Sequence, residues 1–385
     1  MNHKNTAATS LALFCKVVDN FGDIGICWRL ARQLEHEHHI AVTLWVDDLV
    51  SFKKICPELS IEKDQQTVHD ICVRHWGNQD GQFCVNEIAD IVIEFFGCDI
   101  PPAYIATMAQ CQPPPVWINL EGLSAEEWVE GCHTLPSSHP QYSLTKYFFF
   151  PGFTQKTGGL LLEKNLAQEH HEFNQVTPSR KNFLSSLGVS ADELDALTIS
   201  LFCYPHAPVD QLFQVWENGS ESINCLVPTG VAKEVVEKIL QQEAKPGAQV
   251  KRGNLSVRVI PFVPQQDYDK LLWSCDLNFV RGEDSFVRAQ WAQKAFIWHI
   301  YPQDENLHHK KLRAFLARHT ASSPASQAFS LAWNDASIAP DWLKLWTDFR
   351  QDLPAIQVQS ALWREQMQAI GDMTSNLLSF INTKR

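Results

Sequence analysis

Leu11 to Val18 reads LALFCKVV, and it runs through DNFGDIG at Asp19 to Gly25 into CWRLARQLEHEH from Cys27. The first string is a mostly apolar run of strand length, as in a sheet covered on both faces. The last places Trp28, Ala31 and Leu34 at three-residue steps, with Leu30 four before Leu34, which is one face of a helix. Strand, glycine-containing loop and helix make the opening of a βαβ unit. Further strands are predicted at Ile40 to Val46, Ala89 to Phe96 and Val116 to Leu120, with a helix at Asp48 to Cys56. Strands separated by helices imply a parallel sheet with helices on both faces.

From Gly122 to Pro178 the pattern weakens, and YFFFPG at Tyr147 to Gly152 and the Gly158–Gly159 pair predict loops and a domain crossover. The alternation then restarts, with a helix at Ser179 to Leu187 closed by Gly188. Strands follow at Leu197 to Cys203, Ile223 to Pro228, Ser256 to Ile260, Leu277 to Val280 and Ala295 to His299. The tail reads as helical, with Trp342, Leu345 and Trp346 on one face and a last helix at Ala361 to Ile381. The expected fold is α/β, with a Rossmann-like domain over 1–178, a second over 179–360, and a C-terminal helix over 361–385 that packs back on the first. Two adjacent doubly wound sheets are expected to turn their carboxyl ends to a shared cleft, which confines the search for chemistry to strand-end loops.

Composition sets the class. The 385 residues carry 32 Lys and Arg against 44 Asp and Glu, a formal charge of −12, which argues against a nucleic-acid partner. With 45% apolar residues the chain can bury real cores. The 11 cysteines are scattered without a C-x-x-C pair, and the start MNHKNTAATS lacks the apolar stretch of a signal peptide, so a reducing cytoplasm is expected. Apolar runs such as Ile91 to Ile93 are strand-sized, far short of the ~20 residues of a membrane helix.

Asp19, Asn20 and Asp23 stand where the first strand becomes the first helix, and Gly22 and Gly25 suit a tight turn. Turn and cap chemistry alone accounts for such a pattern. The functional alternative is a pair of carboxylates, four residues apart, that meets a cation or acts as a general base. A dinucleotide site does not fit, because G-x-G-x-x-G is absent and two acids repel a pyrophosphate.

A second loop follows the strand Leu277 to Val280. Arg281, Gly282, Glu283, Asp284 and Ser285 lead into a helix carrying Arg288. Gly282 permits close backbone approach, Ser285 can cap, the open N–H groups attract phosphate, and Arg281 and Arg288 add charge-assisted bonds. An ordinary capped helix is the alternative. Glu283 suits a sugar hydroxyl better than a phosphate, so a nucleoside diphosphate fits these residue types. Phe262 can stack on a base with Gln265 bonding its edge, or can simply pack in the core. Phe202 and Tyr204, in LFCYP, likewise face either core or ligand.

The histidine pairs His38–His39, His170–His171 and His308–His309 point to different faces in a helix or strand and chelate poorly; H-E-x-x-H and G-x-S-x-G are absent. No metal site is expected.

With these residues in place, the chain resembles the EarP family of bacterial protein-arginine rhamnosyltransferases, which modify elongation factor P. The resemblance rests on FCKVVDNFGDIGICWRLARQL, LFCYP, IPFVPQQDYDKLLW and NFVRGEDSFVRAQWA, and so spans most of the chain. It implies a GT-B architecture, a dTDP-β-L-rhamnose donor held by the C-terminal domain, an elongation factor P arginine at the N-terminal domain, and inversion without a metal. Carried over by motif, Asp23 is the candidate base with Asp19 as its partner. Phe202, Tyr204, Phe262, Gln265, Glu283, Asp284 and Ser285 match donor contacts. The segment Gly131 to Gln168 matches nothing in the family's motifs. Other functions compatible with the residues are a nucleotide-sugar epimerase of the same fold and a non-catalytic module that binds elongation factor P.

Overall fold

Near-continuous apolar strands need cover on both faces, and the computed structural model supplies it in two α/β units. It describes residues 9–19, 21–77, 81–176, 178–320, 323–335, 337 and 339–385. The first unit comprises Met1–Lys164 and Met367–Arg385, the second Asn165–Gln366.

The first unit holds β1 (Ser10–Cys15), β2 (Ala41–Val46), β3 (Gln65–Val68), β4 (Ile71–His75), β5 (Ile91–Phe95), β6 (Val116–Leu120), β7 (Pro136–Ser138) and β8 (Thr145–Phe149). They form one sheet in the order β3-β4-β2-β1-β5-β6-β8-β7, antiparallel only where β3 and β7 add to its edges. The six parallel strands thus follow the Rossmann order 3-2-1-4-5-6. The chain reverses direction across the sheet between β1 and β5, where a ligand site is expected at the carboxyl ends. Phe14 anchors that point: its ring stacks on Trp45 at 5.4 Å and meets Trp76 and Tyr104 edge-on. Trp76 also donates its indole N–H to the carbonyl of Cys15 at 3.0 Å, holding the end of β1.

β1 ends at Cys15, not Val18. The N–H groups of Val17 and Val18 donate to the carboxylates of Asp47 and Asp23, at 2.8 and 2.7 Å, so they leave the ladder. The segment expected as loops from Gly122 to Pro178 instead contains β7, β8 and the helices Trp128–Cys132 and Leu166–Gln175. β7 is exposed along its length, so no alternation marks it in the sequence.

The second unit holds β9 (Leu197–Leu201), β10 (Ile223–Pro228), β11 (Gln249–Arg252), β12 (Leu255–Ile260), β13 (Leu277–Arg281) and β14 (Ala295–His299), in the order β11-β12-β10-β9-β13-β14. Only β11 is antiparallel, and the switch point lies between β9 and β13.

The division between units falls at Lys164, earlier than the expected 178. The helix Leu166–Gln175 belongs to the second unit because Phe173 packs against Phe183 and Trp273, and because Arg364 donates to His170 Nδ1 at 3.1 Å. The predicted last helix is broken in two, Trp342–Gln368 and Met373–Asn382. At the break Gly371 takes φ +97°, and Asp372 caps the second helix by accepting from Ser375 N–H at 2.8 Å. A Cβ on Gly159 would lie 2.6 Å from the Gly371 carbonyl, so the Gly158–Gly159 pair permits a close backbone approach. The final helix packs on the first unit, where the Thr374 hydroxyl donates to Gln33 at 2.6 Å. Among the described residues no helix is long and apolar enough to cross a membrane.

Candidate active site

At the switch point of the first unit, the helix Gly22–His38 begins with Phe21 at its N-cap. Gly22 and Gly25 are helical residues, not the expected turn residues, and Gly25 N–H makes an early helical bond to the Phe21 carbonyl at 3.0 Å. Asn20 lies outside the described residues. Phe21 carries the Lys54 ammonium over its ring at 5.5 Å.

Asp23, in the first helical turn, is 5% exposed. Its Oδ2 accepts from the N–H groups of Val18 and Asp19 at 2.7 and 2.8 Å. Among the described residues nothing donates to Oδ1. Asp23 therefore pins the loop from one oxygen and keeps the other. Burial pushes its carboxyl above the ordinary value, the two N–H bonds pull it partly back, and the charges of Asp19 and Asp47 push it up again. Asp19, also buried, stands four residues before it. The third acid, Asp47, went unnoticed in the sequence. Its only local signal was its place directly after β2, a strand paired with β1.

In the second unit, Phe202 and Tyr204 follow β9, and Arg281 ends β13. The Arg281 guanidinium lies over both rings, 4.6 Å from Phe202 and 4.8 Å from Tyr204, and donates to the Cys203 carbonyl at 3.3 Å. Phe262 meets Phe202 edge-on at 6.4 Å. Gln265, first in the helix Gln265–Ser274, donates to Asp284 at 3.3 Å. Gly282 takes φ +64°, a left-handed turn that glycine adopts without strain, and its carbonyl accepts from the Trp298 indole N–H at 2.8 Å. Glu283, not Ser285, occupies the N-cap of the helix Asp284–Trp291. The Ser285 hydroxyl accepts from Arg281 N–H at 3.1 Å and donates to the Arg281 carbonyl, so it closes the loop on itself.

Arg288 departs from the expected role. It is 1% exposed, and its Nε and Nη2 donate to both carboxylate oxygens of Asp269. Its charge is met inside the fold and ties the helix Asp284–Trp291 to the helix Gln265–Ser274. Of the remaining donor candidates, Phe202, Tyr204, Phe262, Arg281 and Ser285 are joined by these contacts, and Gln265 and Asp284 form a separate pair.

Two histidines escaped the sequence reading. His299, at the end of β14, accepts from Tyr204 N–H at its Nδ1, 3.2 Å away, and its Nε2 lies 2.9 Å from Nε2 of His206. Burial pushes His299 well below the usual histidine range, with His206 and Arg281 adding to the effect. Among the described residues one group brings metal-ligating atoms within 4.8 Å of one another, Cys56, Glu58 and His69; it includes neither Asp19 nor Asp23.

The family model for the elongation-factor P (EF-P) rhamnosyltransferase EarP matches residues 11–382. A protein-arginine rhamnosyltransferase of Pseudomonas putida is 45% identical over 371 residues, 96% of this chain and 97% of that protein. A solved structure, described as the structural basis for EarP-mediated arginine glycosylation of translation elongation factor EF-P, is 32% identical. It superposes with a TM-score of 0.65 and covers 98% of this chain and 99% of its own. A UGT transferase of Siraitia grosvenorii in complex with UDP has the same fold at 9% identity, with a TM-score of 0.50 over 97% of this chain and 99% of its own.

Proposed function

The chain belongs to the EarP family of elongation-factor P rhamnosyltransferases, and from that premise we propose that it moves L-rhamnose from dTDP-β-L-rhamnose to an arginine side chain of elongation factor P. The reaction takes place in the cytoplasm, with inversion at the anomeric carbon and without a metal. One observation carries the acceptor half: Asp23 spends Oδ2 on two backbone N–H groups and keeps Oδ1. A guanidinium has no free lone pair and a solution pKa above about 12, so the cation itself is no nucleophile. Asp23 Oδ1 and Asp19 accept its N–H groups and localise its delocalised electrons. As the nitrogen bonds to the anomeric carbon, the bond from that carbon to the diphosphate oxygen breaks, and Asp23 takes the proton. A carboxyl raised by burial is the better base for this step.

The donor half is assigned to the switch point of the second unit. Phe202, Tyr204, Phe262 and Gln265 take the thymidine, Glu283 a hydroxyl of its sugar, and the backbone at Gly282 lies close to the phosphates. The charge of the departing dTDP is met by Arg281 and by the N–H groups opening the helix Asp284–Trp291. Ser285, Asp284 and Arg288 hold that loop in shape. Holding the nucleophile and carbon in position supplies several kcal/mol of the barrier, roughly.

The test is mass spectrometry of purified elongation factor P after incubation with the protein and dTDP-rhamnose. The expected result is the gain of one deoxyhexose on an arginine. Turnover of the donor in the absence of elongation factor P, with no such gain in its presence, rejects the proposal.

A further inference from the structure

The donor assignment leaves His206 unused. Its ring lies parallel to that of Tyr204, at 6.1 Å and 4°. Its Nε2 is 2.9 Å from Nε2 of His299, a distance that two imidazole nitrogens hold when one carries hydrogen and the other does not. The backbone decides which. Tyr204 N–H points at Nδ1 of His299, 3.2 Å away, so that nitrogen must accept. His299 is buried and neutral, and its single N–H therefore lies on Nε2 and donates to His206. It follows that the hydrogen of His206 sits on Nδ1. A cationic His206 would carry hydrogen on Nε2 as well and would break the pair. His206 is exposed, and among the described residues no protein group accepts from its Nδ1.

The surroundings say what such a donor meets. The Arg281 guanidinium lies over the opposite partner in this row, the Tyr204 ring, at 4.8 Å. Arg281 and His299 are register partners across β13 and β14. A cation and a locked neutral N–H thus both stand beside one tyrosine, beyond the carboxyl ends of adjacent strands. A group with several acceptor oxygens and net negative charge uses both. We infer that His206 binds the diphosphate of the nucleotide donor through its Nδ1–H, with His299 and the Tyr204 backbone as positioning elements that set the tautomer. The inference rests on the donor assignment proposed above.

Calorimetry with thymidine 5′-diphosphate and NMR titration with thymidine, on the full chain, test it. His206→Ala is expected to raise the dissociation constant for the diphosphate by about tenfold to a hundredfold, as for a lost hydrogen bond to a charged group, and to leave thymidine binding unchanged. His206→Asn, whose amide nitrogen falls near the Nδ1 position, is expected to recover part of the loss. In the wild-type protein, imidazole 15N spectra should place the His206 hydrogen on Nδ1 and show that resonance moving on addition of the diphosphate. If the wild type binds no thymidine diphosphate, the donor assignment fails and this inference with it. If the wild type binds, the inference alone is overturned by an unchanged affinity in His206→Ala, by an equal loss for thymidine, or by a hydrogen found on Nε2.

Discussion

Arg288 Nε and Nη2 donate to the two carboxylate oxygens of Asp269 at 2.7 and 2.9 Å, inside the second unit. This fork joins the helix that follows the candidate phosphate loop to the helix that begins with Gln265. Removing one partner leaves the other as an uncompensated buried charge, a loss of about 3–5 kcal/mol. Arg288→Ala should therefore lower unfolding stability by that order in urea titration. Arg288→Lys should restore only part of it, because an ammonium does not match the fork. A stability unchanged in Arg288→Ala, with dTDP affinity lost, would return Arg288 to the ligand.

Asp23→Asn keeps the shape and the two acceptor bonds through its amide oxygen but removes the base. Rhamnosylation should fall by about 10²–10⁴-fold, while dTDP binds as before. Calorimetry showing lost dTDP affinity would refute this division of labour between the units.

The raised carboxyl of Asp23 also carries a sign for stability. A group whose pKa is higher folded than unfolded contributes stability below its unfolded value, about 3.9 for aspartate, and that contribution is lost as pH rises through the folded value. Ionised Asp23 therefore weighs against the fold at neutral pH. Asp23→Asn should be at least as stable as the wild type at neutral pH and lose that advantage in acid. Denaturant titrations across that range should show the difference shrinking as pH falls; a difference that grows instead contradicts the burial effect.

Asp47 is one of the charges that raise Asp23, and it also accepts from Val17 N–H at 2.8 Å. Asp47→Asn keeps an acceptor and deletes the charge. The acid limb of the pH–rate profile should move to lower pH. An unmoved limb would mean that Asp23 is not the group it reports.

Arg281 and Glu283 bear on donor affinity. Arg281→Lys should weaken dTDP binding by about tenfold or more, since the ammonium lacks the flat guanidinium that lies over Phe202 and Tyr204. Glu283→Ala should weaken it as well; an unchanged dissociation constant for dTDP would count against Glu283 as a donor contact.

The alternation of apolar runs with helical periodicity was enough to place most of the parallel strands, because strand and helix patterns are local and strands buried on both faces read as nearly continuous apolar text. β14 falls at Ala295 to His299, as that pattern predicts, and the two loops that follow β1 and β13 stand out by their glycine and charge. The edge strand β7 carries no such pattern, since all of its residues are exposed. The pairing of side chains is a different matter. His206 and His299 are 93 positions apart, Arg288 and Asp269 19, and Asp47 reaches Val17 across 30. Nothing in local spacing distinguishes an arginine that meets a phosphate from one that meets a buried aspartate. That choice follows from which helices and strand ends the folded sheet brings within hydrogen-bond reach, because burying a charge is costly unless its partner is there to meet it.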